Sequence, residues 1–223
     1  MNIESNNSSH YHLTKTTAGL VLQDLTHKFK PLIIDFNAIN WQRCHTTQLS
    51  TKAVGIKKNQ PLTILDATAG LGIDAFIFAN FGAKVQMIER SPIIGTLLQD
   101  GLDRFFSKNP TPKISLTLTI TDAISYLQKR VPAPDVIYLD PMYPERGSAL
   151  NKKNLRILRA VVGNDEDAEE LFWLALKCTK KRVVVKRPRL APTLTHLKPD
   201  IIYSGKSVRF DVYTARTWKC RIL

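Results

Sequence analysis

The stretch Leu62-Thr63-Ile64-Leu65-Asp66-Ala67-Thr68-Ala69-Gly70-Leu71-Gly72, continued through the helix-like segment 73–81, Gly82 and Lys84-Val85-Gln86-Met87-Ile88-Glu89, decides the fold. It reads as an apolar run of strand length, a glycine-containing turn, a helix stopped by Gly82 and a second strand. That order is a strand–helix–strand unit, entered near Gln60-Pro61.

The alternation continues outward. Pro92 suits the first turn of a helix over 92–107, and 114–120 is rich in β-formers. Segment 122–129 reads as a helix, 136–139 as a short buried strand, 165–178 as a helix with acid in its first turn, and 182–185 as another strand. Two late runs, 200–203 and 209–214, suit an antiparallel pair at one edge. An α/β chain of this kind forms a mostly parallel sheet covered on both faces, with ligands beyond the carboxyl ends of the strands. Upstream, 49–54 suggests a short helix, and 20–22 with 32–36 suggests a hairpin around 24–31. We therefore expect an N-terminal extension over 1–59, with a candidate β-hairpin, and one catalytic domain over 60–223.

The turn after the first strand holds Gly70 and Gly72, where backbone can approach a ligand free of side chains. A dinucleotide fingerprint wants three glycines, and Thr68 and Ala69 stand where an earlier one belongs. Asp66, at the strand end, complements an ammonium group better than a pyrophosphate. Glu89 ends the second strand, where an acid can accept both hydroxyls of a ribose. Turn and acid together point to a nucleoside-containing cofactor. Thr121-Asp122 offers either an adenine-edge contact or a helix cap, and Asp74 either a cap or a cofactor contact.

Ile137-Tyr138-Leu139-Asp140-Pro141-Met142-Tyr143-Pro144 carries the candidate chemistry. A buried strand delivers Asp140 to the ligand edge, Pro141 stiffens the backbone, and Tyr143 offers an aromatic plate. The stretch is similar to the Asp/Asn-Pro-x-Tyr/Phe pattern of methyltransferases acting on amino groups of bases. An exocyclic amine is a poor nucleophile until its hydrogens are held. Asp140 and the Pro141 carbonyl would hold them while Tyr143 stacks on the base. The plain alternative is a structural Asp-Pro turn.

Composition narrows the classes. The 223 residues, 43% of them hydrophobic, suffice for one sizeable core. No apolar run approaches the roughly 20 residues of a membrane helix, so a soluble, cytoplasmic protein is expected. Cys44, Cys178 and Cys220 are far apart and suggest neither zinc nor a redox pair. His10 and His12 have metal-capable spacing, but in a polar start where no metal site is expected. Lys plus Arg number 32 against 19 Asp plus Glu, a formal charge of +13, which favours a polyanionic partner. Lys180, Lys181, Arg182, Lys186, Arg187 and Arg189 crowd one segment, and Lys152, Lys153, Arg156 and Arg159 another. Lys186, Arg187 and Arg189 are expected to contact phosphates.

Taken together, 66–72 with Asp74-Ala75-Phe76, Glu89-Arg90, 138–144, Val183-Val184-Val185-Lys186-Arg187-Pro188 and Arg209-Phe210-Asp211-Val212-Tyr213 resemble the RsmJ family over roughly 53–213. That family comprises bacterial small-subunit ribosomal RNA methyltransferases. The resemblance implies a Rossmann-like class I fold, S-adenosylmethionine as cofactor, and the 2-amino group of a guanine in 16S ribosomal RNA as target. It implies cofactor contacts at Ile73-Asp74, Glu89-Arg90, Thr121-Asp122 and Asp140. The partner would be ribosomal RNA or the small subunit, with no membrane and no metal; oligomeric state is left open. Rival readings are an adenine amino-methyltransferase acting on DNA, a nucleic-acid-binding protein with a vestigial cofactor site, and a nicotinamide-dependent oxidoreductase, which the missing glycine disfavours.

Overall fold

In a computed structural model, residues 10–26, 30–39, 47–57, 59–111, 113–129, 132–142, 161 and 165–215 are described. The elements are β1 (Tyr11–Thr16), β2 (Gly19–Asp24), a 3-10 turn (Phe36–Ala38), α1 (Thr47–Val54), β3 (Thr63–Asp66), α2 (Ile73–Asn80), β4 (Lys84–Glu89) and α3 (Pro92–Lys108). They continue with β5 (Ser115–Ile120), α4 (Ala123–Gln128), β6 (Val136–Leu139), α5 (Ala168–Cys178), β7 (Arg182–Pro188), β8 (Ile201–Ser204) and β9 (Val208–Thr214).

Among the described residues seven strands form one sheet in the order β5-β4-β3-β6-β7-β9-β8. Neighbours from β5 to β7 run parallel, and β9 lies antiparallel between β7 and β8. The chain winds outward from β3 through β4 to β5, then returns to place β6 on the other side of β3. This reversal opens a crevice at the carboxyl ends of β3 and β6, the usual ligand position in such sheets.

Two apolar layers cover the sheet. On one face Ile64, Val85, Met87, Tyr138, Val184 and Val212 pack with α1, α2 and α3; on the other Leu65, Ile137, Leu139, Val183, Val185 and Tyr213 pack with α4 and α5. Strand periodicity alternates the two sets. Helix α2 buries five consecutive residues, Ala75 to Ala79, because it is enclosed on several sides. In α3, by contrast, Ile94, Leu97, Leu98, Gly101 and Leu102 form a stripe at helical spacing, with Ser91 capping its start and Pro92 in the first turn.

The N-terminal hairpin differs from the one expected. It is β1 with β2, paired from Tyr11–Asp24 to Thr16–Gly19, while segment 32–36 contributes a single bridge between Leu32 and Leu22. The turn at Thr17-Ala18 is closed by Thr16, whose hydroxyl accepts from Ala18 N–H and donates to Gly19 O, and by Gly19 at φ +126°. Strand β1 is half-exposed and largely polar, so it lacks the apolar signature of a strand. His12 lies within it and is thus held in a ladder rather than in a free polar start. Leu22, Leu32, Ile34 and Phe36 pack into the same core as α2 and α3.

Candidate functional site

Three strand ends and one helix start build the site. Asp66 ends β3, and the register sets it beside Tyr138 of β6. Leu139 pairs with Val185 of β7, so the next residues, Asp140 and Lys186, continue side by side. By alternation Asp66, Tyr138, Asp140 and Lys186 all face α2, whose first turn holds Asp74.

The contacts follow from that placement. Lys186 Nζ donates to Asp74 Oδ2 at 2.8 Å and to Asp140 Oδ2 at 2.9 Å. The Tyr138 hydroxyl donates to the same Asp74 oxygen at 2.8 Å. Asp140 N–H donates to Thr68 Oγ1 at 2.6 Å, tying the backbone after β6 to the glycine turn. Asp66 accepts from Thr68 N–H at 3.2 Å and is only 2% exposed.

Charge crowding dominates the electrostatics. Burial, then the neighbouring charge of Asp74, pushes the Asp66 carboxyl well above its usual range. Burial also raises Asp140; Lys186 pulls it back, while Asp74 and Asp165 push it up. The Asp140 side chain nonetheless keeps 40% of its exposure and opens to the crevice. Burial would favour a neutral Lys186, but Asp140 and Asp74 hold its ammonium charged, above the ordinary lysine range.

Around this centre the second strand end is organised by Glu89. Its two carboxylate oxygens accept from Gly70 N–H and Ser91 N–H, each at 2.8 Å, so one buried acid joins the glycine turn to the start of α3. Gly70 and Gly72 both have left-handed backbone, φ +54° and +71°. A Cβ at Gly72 would stand 2.8 Å from Leu98 Cδ1 and 3.1 Å from Phe36. Close packing, more than ligand access, therefore requires glycine there. Ile73 opens α2 and is 44% exposed. Arg90 pairs with Asp165 and, at 3.1 Å, with Asp167, while Met142 N–H donates to Asp165. Thr121 N–H donates to Glu89 O at 2.9 Å, and Asp122 caps α4 by accepting from Ser125 N–H at 2.7 Å. Pro141 follows Asp140 directly and is buried. Tyr143, Lys152, Lys153, Arg156 and Arg159 lie outside the described residues, as do Cys44 and Cys220.

The expected phosphate trio is corrected. Strand β7 continues through Pro188, so Lys186 and Arg187 point to opposite faces, both inward. Lys186 joins the carboxylates; Arg187, 4% exposed, donates to Pro192 O at 2.9 and 3.1 Å and braces the loop after β7. Of the three, Arg189 is exposed. The other half of the basic run sits at the amino end of β7, where Lys181 pairs with Asp135 and Arg182 donates to Ala53 O. Sequence reasoning put Lys186 near this edge but assigned it to phosphate, not to the carboxylates, and it missed Tyr138 and Thr68 as site residues. A lysine in phase with Val184 on a buried strand was the available signal. Among the described residues no group of three or more His, Cys, Asp or Glu could hold a metal ion, and no helix is long and apolar enough to cross a membrane.

Sheet order, glycine turn and acids at three strand ends define the class: Rossmann-like S-adenosylmethionine-dependent methyltransferases. The chain belongs to the family described as "Putative SAM-dependent methyltransferase", which matches residues 1–215. It is 49% identical over 216 residues to "Ribosomal RNA small subunit methyltransferase J" of Coxiella burnetii, covering 93% of this chain and 85% of that protein. It is 45% identical over 193 residues to the protein of the same name from Nitrosococcus oceani, covering 82% and 76%. A SAM-dependent methyltransferase structure from Neisseria gonorrhoeae superposes with a TM-score of 0.76 at 32% identity, over 96% of this chain and 86% of that one.

Proposed function

We propose that this chain methylates the exocyclic 2-amino group of a guanine in small-subunit ribosomal RNA. One observation carries the chemistry: a partly open carboxylate, Asp140, stands at the end of β6 beside the glycine turn of β3, its backbone held by Thr68 and one of its oxygens by Lys186. The substrate rests on the shared name of the relatives, on the RsmJ resemblance and on the charge of +13.

The residues suit the cofactor. Asp66 is a buried carboxylate with little compensation, the environment in which an ammonium group of a ligand is welcome. Glu89 spends one lone pair of each oxygen on backbone N–H groups and retains acceptor capacity for ribose hydroxyls. Ile73 offers an exposed apolar surface at the start of α2, and Asp74, Arg90 and Thr121-Asp122 are the further contacts that the resemblance implies. Bound there, S-adenosylmethionine supplies an electrophilic methyl group, the electron pair of the broken S–C bond staying on sulfur.

The protein's own part is to prepare the amine. The nitrogen lone pair is delocalised into the base, and it becomes available as the amine pyramidalises. Asp140 and the Pro141 carbonyl accept its two hydrogens, an arrangement that strengthens as positive charge develops on nitrogen. Tyr143 stacks on the base. After transfer the nitrogen sheds one proton, for which ionised Asp140 is the acceptor.

The test uses purified protein, isotope-labelled S-adenosylmethionine, and either naked small-subunit RNA or assembled subunits lacking the modification. Nucleoside mass analysis is expected to find N2-methylguanosine at one position. Label confined to adenine, or to DNA, would overturn the assignment.

A further inference from the structure

Asp66, Asp74 and Asp140 converge on the crevice, with Asp165 near Asp140. Among the described residues Lys186 is the cation within hydrogen-bond distance of Asp74 and Asp140. We propose that Lys186 is a positioning residue of the methyl transfer: by bridging Asp74 and Asp140 it keeps Asp140 ionised and oriented to accept the hydrogens of the target amine. The role rests on the function proposed above, but the pairing itself is testable without RNA.

The geometry excludes simpler roles. A lysine reaching for phosphate leaves its head group in solvent, whereas this one is sandwiched between two carboxylates at 2.8 and 2.9 Å with 23% of its side chain exposed. A lysine acting as a base must lose its proton, and those same carboxylates retain it. What remains is a fixed counter-ion.

Asp140 needs one. A protonated carboxyl has one oxygen committed as a donor and cannot serve as a full acceptor for an amine. Without Lys186, burial and the charge of Asp74 would act on Asp140 with no adjacent cation, because Arg90 is held by Asp165 and Asp167. The groups facing this cluster are Asp66 from β3, Asp74 from α2, Tyr138 from β6, Asp165 before α5 and Lys186 from β7. Arg90, after β4, is held by Asp165 and Asp167, so among the described residues Lys186 is the cation that meets Asp140 itself. The Asp140 backbone is anchored separately by Thr68, so replacing Lys186 changes the charge on Asp140 more than its place.

The test is Lys186→Met, which keeps the stem and removes the charge, beside Lys186→Arg, which restores it. Carboxyl-carbon NMR of the full chain, without RNA or cofactor, reads the Asp140 midpoint. It is expected to rise by about 1–3 pH units in Lys186→Met, the range for loss of an adjacent opposite charge, and to return in Lys186→Arg. The acid limb of kcat should move up with it, about tenfold in rate per unit, while KM for RNA stays. An unmoved midpoint overturns the proposal, as does a kcat lost equally at all pH. Should Lys186→Met fail to fold, Asp74→Asn reads the same network with opposite sign: the Asp140 midpoint falls. Wild-type protein that leaves small-subunit RNA unmethylated overturns the proposed function instead, and the midpoint still decides the pairing.

Discussion

Asp66 is a buried carboxyl whose surroundings do little to relieve a charge on it. Its folded-state pKa lies above its unfolded value, so its contribution to stability is present at low pH and is lost as pH rises through the folded pKa. At pH values above the unfolded pKa the acid therefore works against the fold. Asp66→Asn should raise the melting temperature of the cofactor-free protein at neutral pH, the gain shrinking toward acid. Calorimetry across pH checks this, and a variant less stable at every pH would refute it. The same substitution should weaken S-adenosylmethionine binding in titration calorimetry, since the proposed role of the carboxylate is to meet the ligand's ammonium group. Glu89 behaves differently. Glu89→Ala removes the acceptor of two backbone N–H groups, so it should weaken cofactor binding by about 1–3 kcal/mol and lower the melting temperature as well. A loss of affinity with unchanged stability would show that water replaces the carboxylate at Gly70 and Ser91.

At the scale of elements, β7 explains why a basic run is a poor map of a binding surface. Its alternation sends Lys186 to the carboxylates and Arg187 beneath the 189–197 loop, and its direction puts Lys181 and Arg182 at the opposite end of the sheet. The loop is braced further by Arg209, which donates to Arg189 O and Ala191 O and pairs with Asp211. Arg189 and Leu190, the latter 91% exposed, are thus presented on a held backbone beyond the strand end. If Arg189 meets one phosphate, Arg189→Ala should flatten the salt dependence of RNA binding by about 0.7–0.9 units of slope. Arg187→Ala should leave that slope alone and lower stability. The reverse pattern, read by binding titrations at several salt concentrations and by melting, would move the RNA path away from this loop. At the other end of the site, the α2 start depends on Gly72, where both left-handed backbone and contact with Leu98 oppose a side chain.

The whole molecule is built so that the N-terminal segments support the crevice. β2 packs on α3, where Asp100 accepts from Leu20 N–H at 3.0 Å and Arg104 pairs with Asp100 at 2.8 Å. α3 in turn packs on α2's side of the sheet through Leu98 and Leu102. Leu22→Ala, far from any proposed catalytic group, should cost about 2–5 kcal/mol, as for other fully buried leucines. Denaturant unfolding measures it, and a negligible cost would mean that the hairpin is only appended to the core.

Much of the architecture was legible locally. Strands 84–89 and 136–139 coincide with β4 and β6, and the helix beginning at Pro92 ends one residue beyond expectation, because apolar periodicity and caps act within a few residues. The hairpin was misread because β1 offers only Tyr11 and Leu13 as apolar residues on its inner face and its closing turn carries only one glycine. The trio at 186–189 was misread because helices and loops can display consecutive basic residues together, whereas a strand cannot.

The sequence by itself determined the alternation of strands and helices, the glycine turn after β3, and the delivery of Asp140 to a strand end. Each is set by neighbours in the chain. Only the tertiary structure decided that β6 returns to lie beside β3, that Asp66, Asp74 and Asp140 therefore share one crevice, and that Lys186 is their counter-ion. Those groups are separated by 46 and 112 residues in the pairs Lys186 makes, and no local period encodes which strand lies next to which. That choice is made by the burial of both sheet faces at once.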